Sequence, residues 1–151
     1  MQSEQREKLK KVCSDVFEQL AFMFGDEIEK DEIESDAETF LRASMTFSGH
    51  FSGNIEIIMP LKLTEQLAGN ILGLDEAERG DQANFEDALK ELLNTICGRM
   101  LTALFGEEAV FNLHVPETNL LTRQQWNALL AEKDFIAFDL EDNPVLVHAA
   151  C

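Results

Sequence analysis

Residues 85–105 read FEDALKELLNTICGRMLTALF, and they carry two different faces. Phe85, Leu89, Leu92, Ile96, Met100 and Leu104 recur at three- and four-residue spacing, with Ala88, Leu93, Cys97 and Leu101 widening the stripe. That period predicts a helix over 83–105, stopped by Gly106, with one side buried. Positions 87, 91, 94 and 98 follow at i, i+4, i+7 and i+11, so Asp87, Glu91, Asn94 and Gly98 stack as one ridge on the other side. A merely solvated ridge would be content with Lys, Glu and Gln. Asn competes for backbone hydrogen bonds inside a helix, and Gly costs about 1 kcal/mol there relative to Ala. Two readings follow. The ridge is a solvated face with a glycine that relieves core packing, or it is a surface onto which a partner presses closely.

The remaining elements place this helix in a mixed α+β chain. Residues 5–25 predict an amphipathic helix through Leu9, Val12, Cys13, Val16, Phe17, Leu20 and Phe24, with Gly25 as its stop. The acidic segment DEIEKDEIESDAE reads as a connector. Residues 39–48 and 54–60 predict a hairpin across GHFSG. A short helix over 63–73 follows, with Thr64 as N-cap and Gly73 as stop, then a polar loop over 74–82. Strands are expected at 108–114, 134–140 and 144–150, the last two joined by the turn EDN. Residues 122–132 read as a helical turn or loop anchored by Trp126. The expectation is one domain over 1–151, an antiparallel sheet with helices packed on one face. A faint echo of the ridge, Ser14, Glu18 and Ala21, recurs on the first helix. It suggests two helix-plus-hairpin halves about a pseudo-twofold axis.

Composition narrows the partners. The chain has 151 residues, enough for one substantial core. Twenty-nine acids against 12 bases give a net charge of −17, a surface that repels nucleic-acid phosphates and anionic lipid. No apolar run approaches the ~20 residues that span a bilayer, and MQSEQREKLKK lacks a signal-peptide core. Cys13, Cys97 and Cys151 have neither disulfide-framework nor zinc spacing, which fits a reducing cytoplasm. The histidines, His50, His114 and His148, are scattered and read as structural. Walker and GxGxxG motifs are absent, and no nucleophile motif is present.

What remains is the ridge. An Asn amide has one acceptor oxygen and two N–H donors, and it can hold a water in line with a phosphorus atom. Glu can pair with a partner's lysine or act as a base. Such a helix needs no cofactor or metal of its own if it inserts into another protein's phosphorylated site.

The run DALKELLNTICGRM resembles the signature helix of the CheC/CheX/FliY family of chemotaxis phosphatases, whose pattern is Asp or Ser, x3, Glu, x2, Asn and a later proline. Asp87, Glu91 and Asn94 match it, and Pro116 stands 22 positions after Asn94 (116 − 94), one short of the usual spacing. FSGHFSGNIEIIMP and LTEQLAGNILG are similar to the family's strand pair and following helix. The resemblance runs from about residue 8 to 115 and implies a pseudo-twofold CheC/CheX-like domain. It further implies removal of phosphate from the aspartyl-phosphate of a CheY-like response regulator. Asn94 would position the attacking water and Glu91 would meet a lysine of the regulator. Asp87 would be a helping partner contact, and Mg2+ would sit in the regulator; Gly98 is a partner contact on the reading of the ridge itself. Ala21 stands where a second Asn would be, so one working helix per chain points to the CheX type, which acts as a homodimer. The Val-Leu-Val-rich last strand is the expected dimer edge. The alternative is a non-catalytic module of the same fold that docks on a receiver, and a purely structural dimer is a third reading.

Overall fold

The computed structural model describes residues 1–131 and 134–151, without the side chains of Glu76 and Arg79. Its frame is a hairpin. Strand β2 (Thr39–Gly49) pairs with β3 (Gly53–Pro60), from Phe40 opposite Pro60 to Phe47 opposite Gly53. Alternation sends Leu41, Ala43, Met45 and Phe47 to one face and Phe40 to the other. At Gly53 a Cβ would run into the carbonyl of Ala150, so the strand head lies close against the chain's far end. A second hairpin joins β6 (Ile136–Leu140) to β7 (Asn143–Ala150). Glu141 (φ 50°) and Asp142 (φ 65°) form its two-residue turn, both left-handed as a type I′ connection requires.

The two hairpins meet where β3 pairs antiparallel with β7. The seven-stranded order is β1-β6-β7-β3-β2-β4, with β5 also pairing with β2; β1 is Gly25–Ile28, β4 Phe111–Leu113 and β5 Glu117–Thr122. This order is symmetric about the β3–β7 pair. In each half a long helix precedes a strand that crosses to the hairpin of the other half: β1 joins β6, and β4 and β5 join β2. The pseudo-twofold α+β architecture is therefore present.

Three helices cover one face: α1 (Ser3–Gln19), α2 (Leu61–Leu72) and α4 (Gln82–Phe105). Their apolar sides and the inward residues of the sheet form the main core. A single turn, α3 (Glu76–Arg79), precedes α4. The opposite face carries α5 (Arg123–Leu130), whose Trp126 stacks on Phe40 with ring centroids 4.2 Å apart. Ile58, Leu121, Phe135, Ala137 and Leu146 complete this second, smaller cluster. The helical reading of 122–132 is met, except that Glu132 lies outside the described residues.

Several local expectations are corrected. The first helix ends at Gln19, where Leu20 caps it and Phe22 turns left-handed (φ 56°). Residues 25–28 then form a strand, held by β6 rather than by any alternation of their own. Thr64 lies inside α2, which starts after Pro60, and its hydroxyl donates back to the Leu61 carbonyl. Gly73 (φ 68°) does end that helix. The strand expected at 108–114 shrinks to Phe111–Leu113, and β5 was not anticipated. Strand β7 lies between β6 and β3, with Val145, Leu146 and Val147 fully buried, so it is not a free edge. Cys13 and Cys97 are core residues, and burial pushes the Cys97 thiol up to about 12.

Trp126 is 1% exposed, so Trp126→Ala empties the centre of the smaller cluster. Its expected cost is about 3–5 kcal/mol, read from the urea midpoint by far-UV circular dichroism. An unchanged midpoint would mean that α5 contributes nothing to the fold.

Candidate functional site

Helix α4 begins at Asp81, whose carboxylate accepts the Ala83 amide at 3.0 Å. Phe85, Ala88, Leu89, Leu92, Leu93, Ile96, Cys97, Met100 and Leu101 are buried along it. With that side fixed, Asp87, Glu91 and Asn94 stand exposed in a line. Thr95 donates to the Glu91 carbonyl (2.9 Å) and Thr102 to the Gly98 carbonyl (3.2 Å), both through backbone oxygens. No described residue holds the Asn94 amide or the Glu91 carboxylate, so both polar ends are available to a partner.

A second wall faces this ridge. Pro116 lies opposite the helix together with Leu113, His114 and Val115, and Asp87, Lys90, Glu91 and Asn94 line the near side. The depression between them has a volume of about 310 Å3. Leu113 (39% exposed) and Val115 (82% exposed) give it an apolar rim. The wall is pinned at both ends. The Thr118 hydroxyl donates to the Glu86 carboxylate at 3.1 Å, tying β5 to α4. At the other end Phe47, Phe111, Phe105 and Phe51 form a chain of ring contacts with centroids 4.6–6.0 Å apart, linking β4, α4 and the β2–β3 turn.

The fold thus brings Asp87, Glu91, Asn94 and Pro116 together. Gly98 is on the same helix but outside the depression; an added Cβ there would meet nothing within 4 Å. The core-packing reading of Gly98 is thereby excluded. The first helix does not reproduce the arrangement. Ser14 and Glu18 border a separate hollow of about 520 Å3, but the helix has ended before Ala21. Ala21 is 1% exposed, and its carbonyl accepts the Asn70 amide at 2.8 Å. A larger hollow of about 580 Å3 lies beside Arg6 and Lys10. Lys10 is held there by Glu7 (2.8 Å) and Glu27 (2.7 Å), which raise its pKa, Glu27 contributing most, and Arg6 donates to carbonyls of Asp134 and Phe135. That hollow's cations are already paired, whereas the smaller depression offers free functional groups.

Four lining residues, Lys90, Leu113, His114 and Val115, escape the sequence reading of the site. His50 and His148 pack against Phe51 and Phe135 as structural histidines would. His114 instead joins the site. The one signal in the sequence was its position two residues before Pro116.

A helix ridge of Glu and Asn opposed by a proline, on a pseudo-twofold antiparallel sheet, is the arrangement that the resemblance to CheC/CheX/FliY chemotaxis proteins implied. The family model described as chemotaxis phosphatase CheX matches residues 41–136, and the chain belongs to that family. The chemotaxis protein CheX from Desulfovibrio desulfuricans is 16% identical, with 97% of this chain and 98% of that one covered and a TM-score of 0.70. CheX from Vibrio vulnificus is 12% identical, covering 98% and 96%, with a TM-score of 0.72. A CheX–CheY–BeF3–Mg2+ complex from Borrelia burgdorferi is 18% identical, covering 97% and 96%, with a TM-score of 0.64. At these identities the likeness is one of fold. No curated protein sequence matches the chain.

Gly98→Ala is expected to raise stability by up to about 1 kcal/mol, since the helix gains propensity and the methyl meets open space. A lower urea midpoint would contradict the open geometry. Ala21→Asn is expected to destabilise the fold by about 1–3 kcal/mol, because it buries an amide in the core. An unchanged urea midpoint would contradict the burial of that position.

Proposed function

We propose that this protein is a phosphatase acting on the aspartyl-phosphate of a CheY-like response regulator, in chemotaxis or a related two-component pathway. The observation that carries this reading is the pair Glu91 and Asn94, exposed and unheld among the described residues, facing Pro116 across an open depression. A shallow, wide site suits insertion into another protein's cleft better than enclosure of a small substrate. The family match and the fold shared with a CheX solved together with CheY, BeF3 and Mg2+ support the partner class.

In this reading the Asn94 side chain holds a water in line with the phosphorus. The water oxygen bonds to phosphorus, the bond from phosphorus to the aspartyl oxygen breaks, and the aspartate leaves as carboxylate. The water's protons end on the released phosphate and solvent, so no covalent intermediate forms on this chain. Glu91 pairs with a lysine of the receiver and fixes the register of docking. Asp87 and the bare backbone at Gly98 extend the contact along the ridge. Mg2+ belongs to the receiver. The protein would work in the cytoplasm as one CheX-like domain and as a homodimer, for which the sheet offers β1 or β4 and β5 as edges rather than β7.

The test is the decay of a phosphorylated CheY-like receiver with and without this protein. Wild type should accelerate it. Asn94→Ala should lose acceleration by a factor on the order of 100, as when one positioned donor is removed from an active site. Glu91→Ala should raise the receiver concentration for half-maximal rate by about tenfold, through the lost charge pair. Unchanged decay with binding retained would make the protein a docking module instead.

A further inference from the structure

We propose that Lys90 is the side chain by which this protein tells a phosphorylated receiver from an unphosphorylated one, its ammonium meeting the phosphoryl oxygens while Asn94 holds the water. The inference deepens the receiver-directed reading above and rests on it. It concerns a residue outside the Glu-x2-Asn motif.

Lys90 is left free by its neighbours. Lys8, Lys10, Lys11 and Arg42 each hold a carboxylate at 2.7–3.7 Å. Lys90 has two carboxylates in the turn before it, Glu86 at i−4 and Asp87 at i−3, and pairs with neither among the described residues. A glutamate four residues ahead of a lysine is the order that a helix favours for an ion pair. Glu86 instead accepts the Thr118 hydroxyl at 3.1 Å, so the contact that ties β5 to α4 engages the lysine's ordinary partner. Lys90 is half-buried and lines the depression beside Glu91 and Asn94.

Its place on the helix gives that free ammonium a task. Lys90 stands one turn before Asn94, about 6 Å along the axis, a span that a lysine's flexible four-carbon stem covers. Side chains on a helix lean toward its N-terminus, so Asn94 leans back over the turn that carries Lys90 and Glu91. A phosphorus atom in line with a water on the Asn94 amide therefore comes within reach of the ammonium. Lysine meets phosphoryl oxygens as a point charge with three donors.

The charges then cross between the two proteins. Glu91 meets a cation of the receiver and Lys90 meets its anion, so each side supplies one charge of each sign. An unphosphorylated receiver offers Glu91 the same lysine but offers Lys90 no phosphoryl group. Register thus falls to Glu91, and preference for the phosphorylated state to Lys90.

The test compares a CheY-like receiver carrying Mg2+ and beryllofluoride, which cannot be hydrolysed, with the same receiver carrying Mg2+ alone. Kd values for wild type, Lys90→Gln and Lys90→Arg are measured by titration followed by NMR. Wild type should prefer the beryllofluoride form. Lys90→Gln should weaken binding of that form by about tenfold or more, the loss of one charge-assisted hydrogen bond. Its binding of the Mg2+ form should change by no more than about twofold, as for an exposed charge without a fixed partner. Lys90→Arg, which keeps the charge, should keep most of the preference. An equal loss for both forms in Lys90→Gln, no loss in either, or the same loss in Lys90→Arg overturns the proposal. Wild type that binds both forms alike also overturns it. Retained acceleration of phosphoryl-receiver decay in those cases leaves the phosphatase reading intact. The expected loss of preference without any acceleration by wild type removes the phosphatase and leaves Lys90 as a phosphoryl contact. Wild type that binds neither form overturns both.

Discussion

The burial of one side of α4 is the constraint on which the rest depends. Its nine buried residues run from Phe85 to Leu101, and each Leu, Ile, Met or Phe side chain among them is worth about 1.5–3 kcal/mol when fully removed from water. Rotating the helix by one residue, about 100°, would bring core residues into solvent and ridge residues inside. The orientation of Asp87, Glu91 and Asn94 is thus set by Leu89, Leu92 and Ile96, which never meet a partner. The site inherits its rigidity from packing that lies wholly on the far side of the helix.

The second wall is built by different means. Residues 113–116 form no long element, and little of their own side-chain surface is buried. They are held from outside, by β2 through the backbone, by Glu86 through Thr118, and by the phenylalanine chain at the end of α4. One wall is fixed by its own core and the other by borrowed contacts. Such a site keeps its spacing only while the β2–β3 hairpin and α4 stay in register.

Much of this was legible in the sequence because it rests on periodicity. The boundaries of α4 fall within one residue of the 3.6-residue reading, and both hairpins come from alternation and turn chemistry. The ridge followed from spacing alone. What was missed is set by partners distant in sequence. GDEI has no strand pattern of its own and is one only because β6 lies beside it. β5 reads ETNLLT, whose alternation is masked by its edge position. The end of α1 depends on Phe22 adopting a left-handed turn that propensity disfavours. His114 carried no metal or nucleophile spacing, and only the folding of α4 against β4 gives it company. The centrality of β7 was hidden for a related reason: a buried strand and a sticky edge are equally apolar in sequence.

The exchange of edge strands between the halves has a consequence for how the chain is made. Gly25 pairs with Leu140, so the strand that follows the first helix stays without its partner until synthesis has passed residue 140. The same holds in reverse for β5, whose partner β2 is made early and must wait exposed along that side. Neither half is a self-sufficient unit, despite the symmetry. Long-range pairing of this kind slows folding, because loop closure must precede the contacts that reward it. An acidic chain of charge −17 is well suited to that interval, since mutual repulsion keeps unfinished molecules apart while their open strands wait.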